Sequence, residues 1–187
     1  MNADVRNDAF QNVINISQGE HAVSSAENVL ISTVLGSCVA TCLWDEQAAV
    51  GGMNHILLPQ DLSTTSISQM HGVHAMEVLI NAMIKSGAVK SRIRAKLFGG
   101  ARMVAGLSNI GERNAVFAQE FLRGEGILCE AKNLGAPWHV VFNFGLQAVA
   151  FYKKLLERHP LNKLLLPLRR MMWSCFNHLN ASSVQRA

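Results

Sequence analysis

A chain of 187 residues, 49% hydrophobic and 16% charged, is long enough for one domain with a hydrophobic core, short for two, and too apolar for a disordered segment. Its net charge of +4 is uneven: from Lys153 onward seven basic residues face Glu157 alone, giving +6 there and −2 on the body before it. A near-neutral body with a basic end lacks the footprint of a nucleic-acid-binding domain.

The opening MNADVRNDAF has neither a basic start nor an apolar run, and no stretch of about eighteen apolar residues follows, so a cytoplasmic location is expected. The cysteines at 38, 42, 129 and 175 lack paired CxxC spacing, which suits reduced thiols.

In chain order, NVINISQGEHAVSS alternates weakly and predicts an edge strand, and AENVLISTVL predicts another. VATCLW is β-branched and aromatic, a good strand, closed by the turn-like DEQA and answered by AVGGMNHILLP, which stops at Pro59. The polar QDLSTTSISQ reads as a loop. In HAMEVLINAMIKSGA, residues Met76, Leu79, Ile80, Met83 and Ile84 fall at helical spacing, with Gly87 as a natural stop.

IRAKLFGGA predicts a strand running into a glycine turn, and IGERNAVFAQEFLRGEG a second amphipathic helix with Val116, Phe117, Phe121 and Leu122 on or near one face. ILCEAKNLG and WHVVFNFG complete the strands. This order predicts an α/β domain over residues 1–151, with helices covering a mainly antiparallel sheet. Residues 152–187 change texture, with leucines and basic residues broken by Pro160 and Pro167, and predict a partly helical basic extension.

The candidate chemistry lies in LGSCVATCLWDEQAAVGGMNHILLP. A cysteine and a histidine on the arms of one hairpin can be a nucleophile with its base, half a metal site, or two unrelated core residues. If DEQA is the turn, Cys38 stands opposite His55, and opposed Cβ atoms lie roughly 4.5–5.5 Å apart. A turn centred one residue earlier or later would set Cys38 opposite Met53 or Leu57 instead.

Gly36 permits a sharp bend from which Ser37 and Cys38 can offer backbone N–H groups as an oxyanion hole. Thr33 has a hydroxyl that can meet the second imidazole nitrogen, while alternation turns Ser32 to the other face. A thiol beside a histidine is expected to ionise readily. Cys42, Cys129 and Cys175 sit among apolar residues and read as filler. His71 and His74 lack a third ligand at matching spacing, so no metal is expected. His139 reads as a strand residue, and His21, His159 and His178 as solvated. The FGGA turn reads as packing beside the Cys-His pair rather than as a phosphate cradle.

These blocks, LGSCVATCLWD, GGMNHILLP, AMEVLINAMIKSGA, AKLFGGA and IGERN, resemble the CheD family of chemoreceptor glutamine deamidases over about residues 32–135. The resemblance implies Cys38 as catalytic cysteine, His55 as catalytic histidine and Thr33 as the third member. It implies a three-layer α/β sandwich similar to the catalytic domains of deamidating toxins, with no cofactor.

The implied partners are methyl-accepting chemotaxis receptors, whose glutamines would be the substrate, and in some members a CheC-type phosphatase. Contact with a membrane would come only through the receptors. An adaptor that binds receptors or a phosphatase without turnover is the alternative. A papain-like protease or acyltransferase is disfavoured, because the usual surroundings of its cysteine are absent. At the far end the sequence departs from the family: the strand in WHVVFNFGLQAVAFYKK is kept, but the F-x-P-x-T-G-like turn is lost.

Overall fold

The computed structural model describes residues 12–58, 65–101, 109–135 and 140–145. The expectations for Pro59, His139, His159, His178, Cys175 and the 151/152 boundary with its basic extension lie outside the described residues.

The first predicted edge strand is two strands, β1 (Asn12–Asn15) and β2 (His21–Ser24), which enter different sheets. β3 (Val29–Leu35), β4 (Val39–Asp45) and β5 (Val50–Ile56) follow, then α1 (Thr65–Lys85), β6 (Arg94–Gly99), α2 (Ile110–Gly124), β7 (Leu128–Leu134) and β8 (Val140–Phe144). Helix α1 starts at Thr65, inside the stretch that composition predicts to be loop. Helix formation continues backward from the apolar face of Met76, Leu79 and Met83, all fully buried, and tertiary packing outweighs the weak propensity of Ser and Thr.

Five strands form one sheet in the order β2-β5-β4-β6-β7, antiparallel except for β6 with β7, which α2 connects as a parallel crossover. Three strands form a second sheet, β1-β3-β8. Alternation along β4 assigns the layers. Val39 and Leu43 join Ile56, Met76, Leu79, Met83, Leu97 and Leu122 in a core between the large sheet and the helices. Ala40, Cys42 and Trp44 point the other way and join Met53, Ile16, Ile31, Leu35 and Phe144 in a second core between the two sheets. Helices, large sheet and small sheet are thus three layers, and the mixed α/β, mainly antiparallel architecture agrees with the sequence reading.

The face of α2 differs from its predicted apolar stripe. Val116 is exposed, and the buried positions are Gly111, Asn114, Ala115, Ala118 and Leu122. Small residues let the helix approach the sheet closely. A Cβ on Gly111 would stand 2.5 Å from the carbonyl oxygens of both Gly100 and Ala101, so the start of α2 sits directly on the turn after β6.

Candidate active site

The hairpin register places His55 opposite Ala40, not opposite Cys38. Asp45 is the reason. It belongs to β4, pairs with Val50, and its carboxylate accepts the N–H groups of Gln47 and Ala48. Residues 46–49 therefore make the turn, with Ala49 at φ 50°, and the centre lies one residue later than DEQA suggests. Cys38 falls one diagonal step from His55 on the same face, where a regular ladder sets Cα atoms roughly 7–8 Å apart. It packs at the margin of the inter-sheet core and is half-buried.

His55 is held from several sides. Its backbone N–H donates to Glu20 O at 3.0 Å and its carbonyl accepts from Gly19 N at 2.8 Å, so the turn between β1 and β2 clamps it. Its ring nitrogen Nδ1 lies 2.8 Å from Thr33 Oγ1, and Thr33 Oγ1 lies 2.7 Å from the carbonyl of Ile16. A carbonyl can only accept, and a hydroxyl has one hydrogen. The Thr33 hydroxyl thus donates to Ile16 O and accepts from His55 Nδ1–H. That fixes the neutral tautomer and leaves Nε2 with a lone pair. Nε2 is buried and has no hydrogen-bond partner among the described residues.

Burial pushes the His55 pKa below its ordinary 6.5, so the neutral ring prevails at neutral pH. Burial also pushes the Cys38 thiol up from 9.0, opposed in part by a hydrogen bond from its own backbone N–H. The two shifts favour a resting pair of neutral thiol and neutral imidazole. This differs from the readily ionised thiol expected from the sequence, because the cost of desolvating a thiolate exceeds the help it receives.

Gly36, Ser37 and Cys38 form the bend between β3 and β4. All three carbonyls are captured: Gly36 O by Ala101 N at 2.8 Å, Ser37 O by Asn114 Nδ2 at 2.8 Å, and Cys38 O by Gly100 N at 2.7 Å. Gly99, at φ +103°, permits the close approach, for a Cβ there would meet Cys38 O at 2.2 Å. The glycine pair of FGGA is therefore packing against the cysteine bend. Cys42 is fully buried beside Ala40, and His71 and His74 are exposed on α1. Among the described residues no group of three His, Cys, Asp or Glu side chains could hold a metal ion.

Asn114 and the Ile16 carbonyl escaped sequence reasoning. The first lies within the IGERN block and the second is a backbone group, which no side-chain pattern advertises.

A family model described as CheD chemotactic sensory transduction matches residues 57–154, beginning two residues after His55. The chain belongs to the CheD family. A Ruegeria protein named probable chemoreceptor glutamine deamidase CheD 1 is 50% identical over 128 residues, covering 67% of this chain and 68% of that protein. The probable chemoreceptor glutamine deamidase CheD of Rhizobium etli is 50% identical over 61% of this chain and 64% of its own length, and that of Zymomonas mobilis 51% identical over 65% and 68%.

The chain thus spans about two thirds of these relatives. Among solved structures, a Neisseria meningitidis protein of the DUF152 family aligns at TM-score 0.46 and 11% identity over 67% of this chain and 64% of that one. Among the described residues of this CheD-family chain, no helix is long and apolar enough to cross a membrane.

Proposed function

We propose that this CheD-family chain deamidates glutamine side chains of methyl-accepting chemotaxis receptors, with Cys38 as nucleophile, His55 as base and Thr33 as the group that orients the base. The observation that carries the reading is the unpartnered Nε2 lone pair of His55, on the face of the sheet that bears Cys38. The names of the relatives, chemoreceptor glutamine deamidases, supply the substrate class.

The thiol proton passes to His55 Nε2 as sulfur attacks the carboxamide carbon, and the carbonyl oxygen becomes an oxyanion facing the bend at Gly36, Ser37 and Cys38. The imidazolium gives the proton to the leaving nitrogen, the C–N bond breaks, ammonia departs and a thioester remains. His55 then takes a proton from water, hydroxide adds to the thioester, and collapse releases glutamate while the proton returns to sulfur. With both groups neutral at rest, the proton moves during attack and no thiolate is stored. Thr33 accepts from Nδ1–H throughout and keeps Nε2 aimed.

Each turnover replaces a neutral side chain with an anion on a receptor helix, adding like-charge repulsion along the bundle. A likeness to the catalytic domains of deamidating toxins belongs to the same reading. A cytoplasmic site of action follows from the receptor substrate. A CheC-type phosphatase would be a further partner of the same chain, not a requirement of the chemistry.

Peptide mass mapping of a receptor cytoplasmic fragment tests the proposal. The expected result is amide-to-acid conversion at particular glutamines with the wild-type chain and none with Cys38→Ala. Conversion by Cys38→Ala at the wild-type rate would overturn the assignment of the nucleophile. Receptor binding without conversion by the wild type would leave the adaptor reading in its place.

A further inference from the structure

Asn114 is the one fully buried polar side chain of α2 among the described residues, and it spans two separate segments. Its Oδ1 accepts the backbone N–H of Leu58 at 2.9 Å, two residues beyond the end of the strand that carries His55. Its Nδ2 donates to the Ser37 carbonyl at 2.8 Å. Only a carboxamide supplies a donor and an acceptor from one rigid plane at this length.

The Ser37 carbonyl and the Cys38 N–H belong to one trans peptide group, and planarity makes them point in opposite directions. Drawing the carbonyl toward α2 therefore turns the Cys38 N–H away from the helix, toward the face that bears the sulfur. The neighbouring peptides are pinned in the same manner, Gly36 O by Ala101 N and Cys38 O by Gly100 N, so the middle peptide depends on Asn114.

We propose that Asn114 is a positioning residue for the thiol chemistry: its carboxamide locks the Ser37–Cys38 peptide so that the Cys38 N–H faces the oxygen that becomes negative in the tetrahedral intermediate. This rests on the deamidase reading and adds to it a residue that touches neither substrate nor sulfur. The same strut ties the nucleophile bend to the segment after β5, so the two halves of the site share one fixed point on α2.

Asn114→Asp keeps the size and the acceptor for Leu58 N but, when ionised, cannot donate to Ser37 O, and Asn114→Ala removes both bonds. Leu122→Ala is the control, because it opens a cavity on the same helix without contact to the bend. Removing an oxyanion donor outright costs about a hundredfold to a thousandfold in kcat, and misaiming one costs less. The expected result is a kcat lowered by roughly tenfold to a hundredfold in Asn114→Asp or Asn114→Ala, with KM for the receptor fragment within about twofold. Leu122→Ala should lose thermal stability but keep kcat.

Unchanged kcat in either folded Asn114 variant, or an equal fall in the control, would overturn the proposal. If the wild type turns over no receptor fragment, the pH profile of Cys38 alkylation by iodoacetamide still decides. A shift to higher pH in the Asn114 variants and not in Leu122→Ala supports the lock, and coincident profiles refute it.

Discussion

Replacing Thr33 with valine removes one oxygen atom and nothing of the side chain's shape. The residue is 4% exposed, and its hydroxyl makes bonds of 2.7 Å to Ile16 O and 2.8 Å to His55 Nδ1. The variant leaves a carbonyl and an imidazole N–H without partners in the inter-sheet core. Each unsatisfied buried group costs at least about 1 kcal/mol. A stability loss of about 2 kcal/mol follows, or roughly 4–8 °C in Tm for a chain of this size.

Activity falls for a separate reason. Without its acceptor the ring loses about 1–2 kcal/mol of preference for the Nδ1–H tautomer and its orientation, and each 1.36 kcal/mol is about tenfold in rate. Deamidation of a receptor fragment, followed by mass spectrometry under saturating and limiting substrate, should show kcat down by roughly fivefold to thirtyfold with KM unchanged. Thr33→Ser, which keeps the oxygen, should recover most of the rate. A folded Thr33→Val variant with wild-type kcat would refute the role of the hydroxyl.

Three further outcomes follow from the structure. Because burial lowers the His55 pKa from 6.5, kcat/KM should hold as pH falls to 6.5 and drop only below it, as the ring gains its proton. The burial penalty on charged His55 is absent above 6.5 and grows as pH falls through the lowered value, so thermal stability should decline over the same range. A decline beginning above 6.5 would contradict a desolvated ring.

Gly99→Ala should lower stability by well over 1 kcal/mol, since it combines a positive φ with a Cβ 2.2 Å from Cys38 O; calorimetry showing an unchanged Tm would count against the close approach. Burial pushes the Asp45 carboxyl up, and the Arg92 guanidinium with the N–H groups of Val89 and Ala48 more than offsets it, holding it below its usual range. Asp45→Ala should therefore cost about 2 kcal/mol in denaturant unfolding, while deamidation by the folded fraction persists.

Much of the site was legible because strand alternation is a strong local rule. Cys38, His55 and Thr33 share a side of their sheets as parity predicts, and Ser32 does not meet His55. The register was not legible. It depends on whether Asp45 ends the strand or begins the turn, and its carboxylate settles that by folding back on Gln47 and Ala48. The splitting of NVINISQGEHAVSS between two sheets was equally hidden, since weak alternation carries no information about which edge a strand joins. The small-residue face of α2 reads as a poor apolar stripe, yet closeness to the Gly99–Gly100 turn is what Gly111, Asn114 and Ala115 supply. Periodicity reports which residues avoid water, whereas the Gly36–Cys38 bend is held by hydrogen bonds from distant segments.

The protonation state of His55 is the point on which the chemistry turns, and two-bond proton–nitrogen correlation NMR of the imidazole reads it without any substrate. At neutral pH the structure requires a proton on Nδ1, shared with Thr33, and a bare Nε2. A proton on Nε2 instead, or a ring already carrying two, would leave Cys38 without its base and contradict the account.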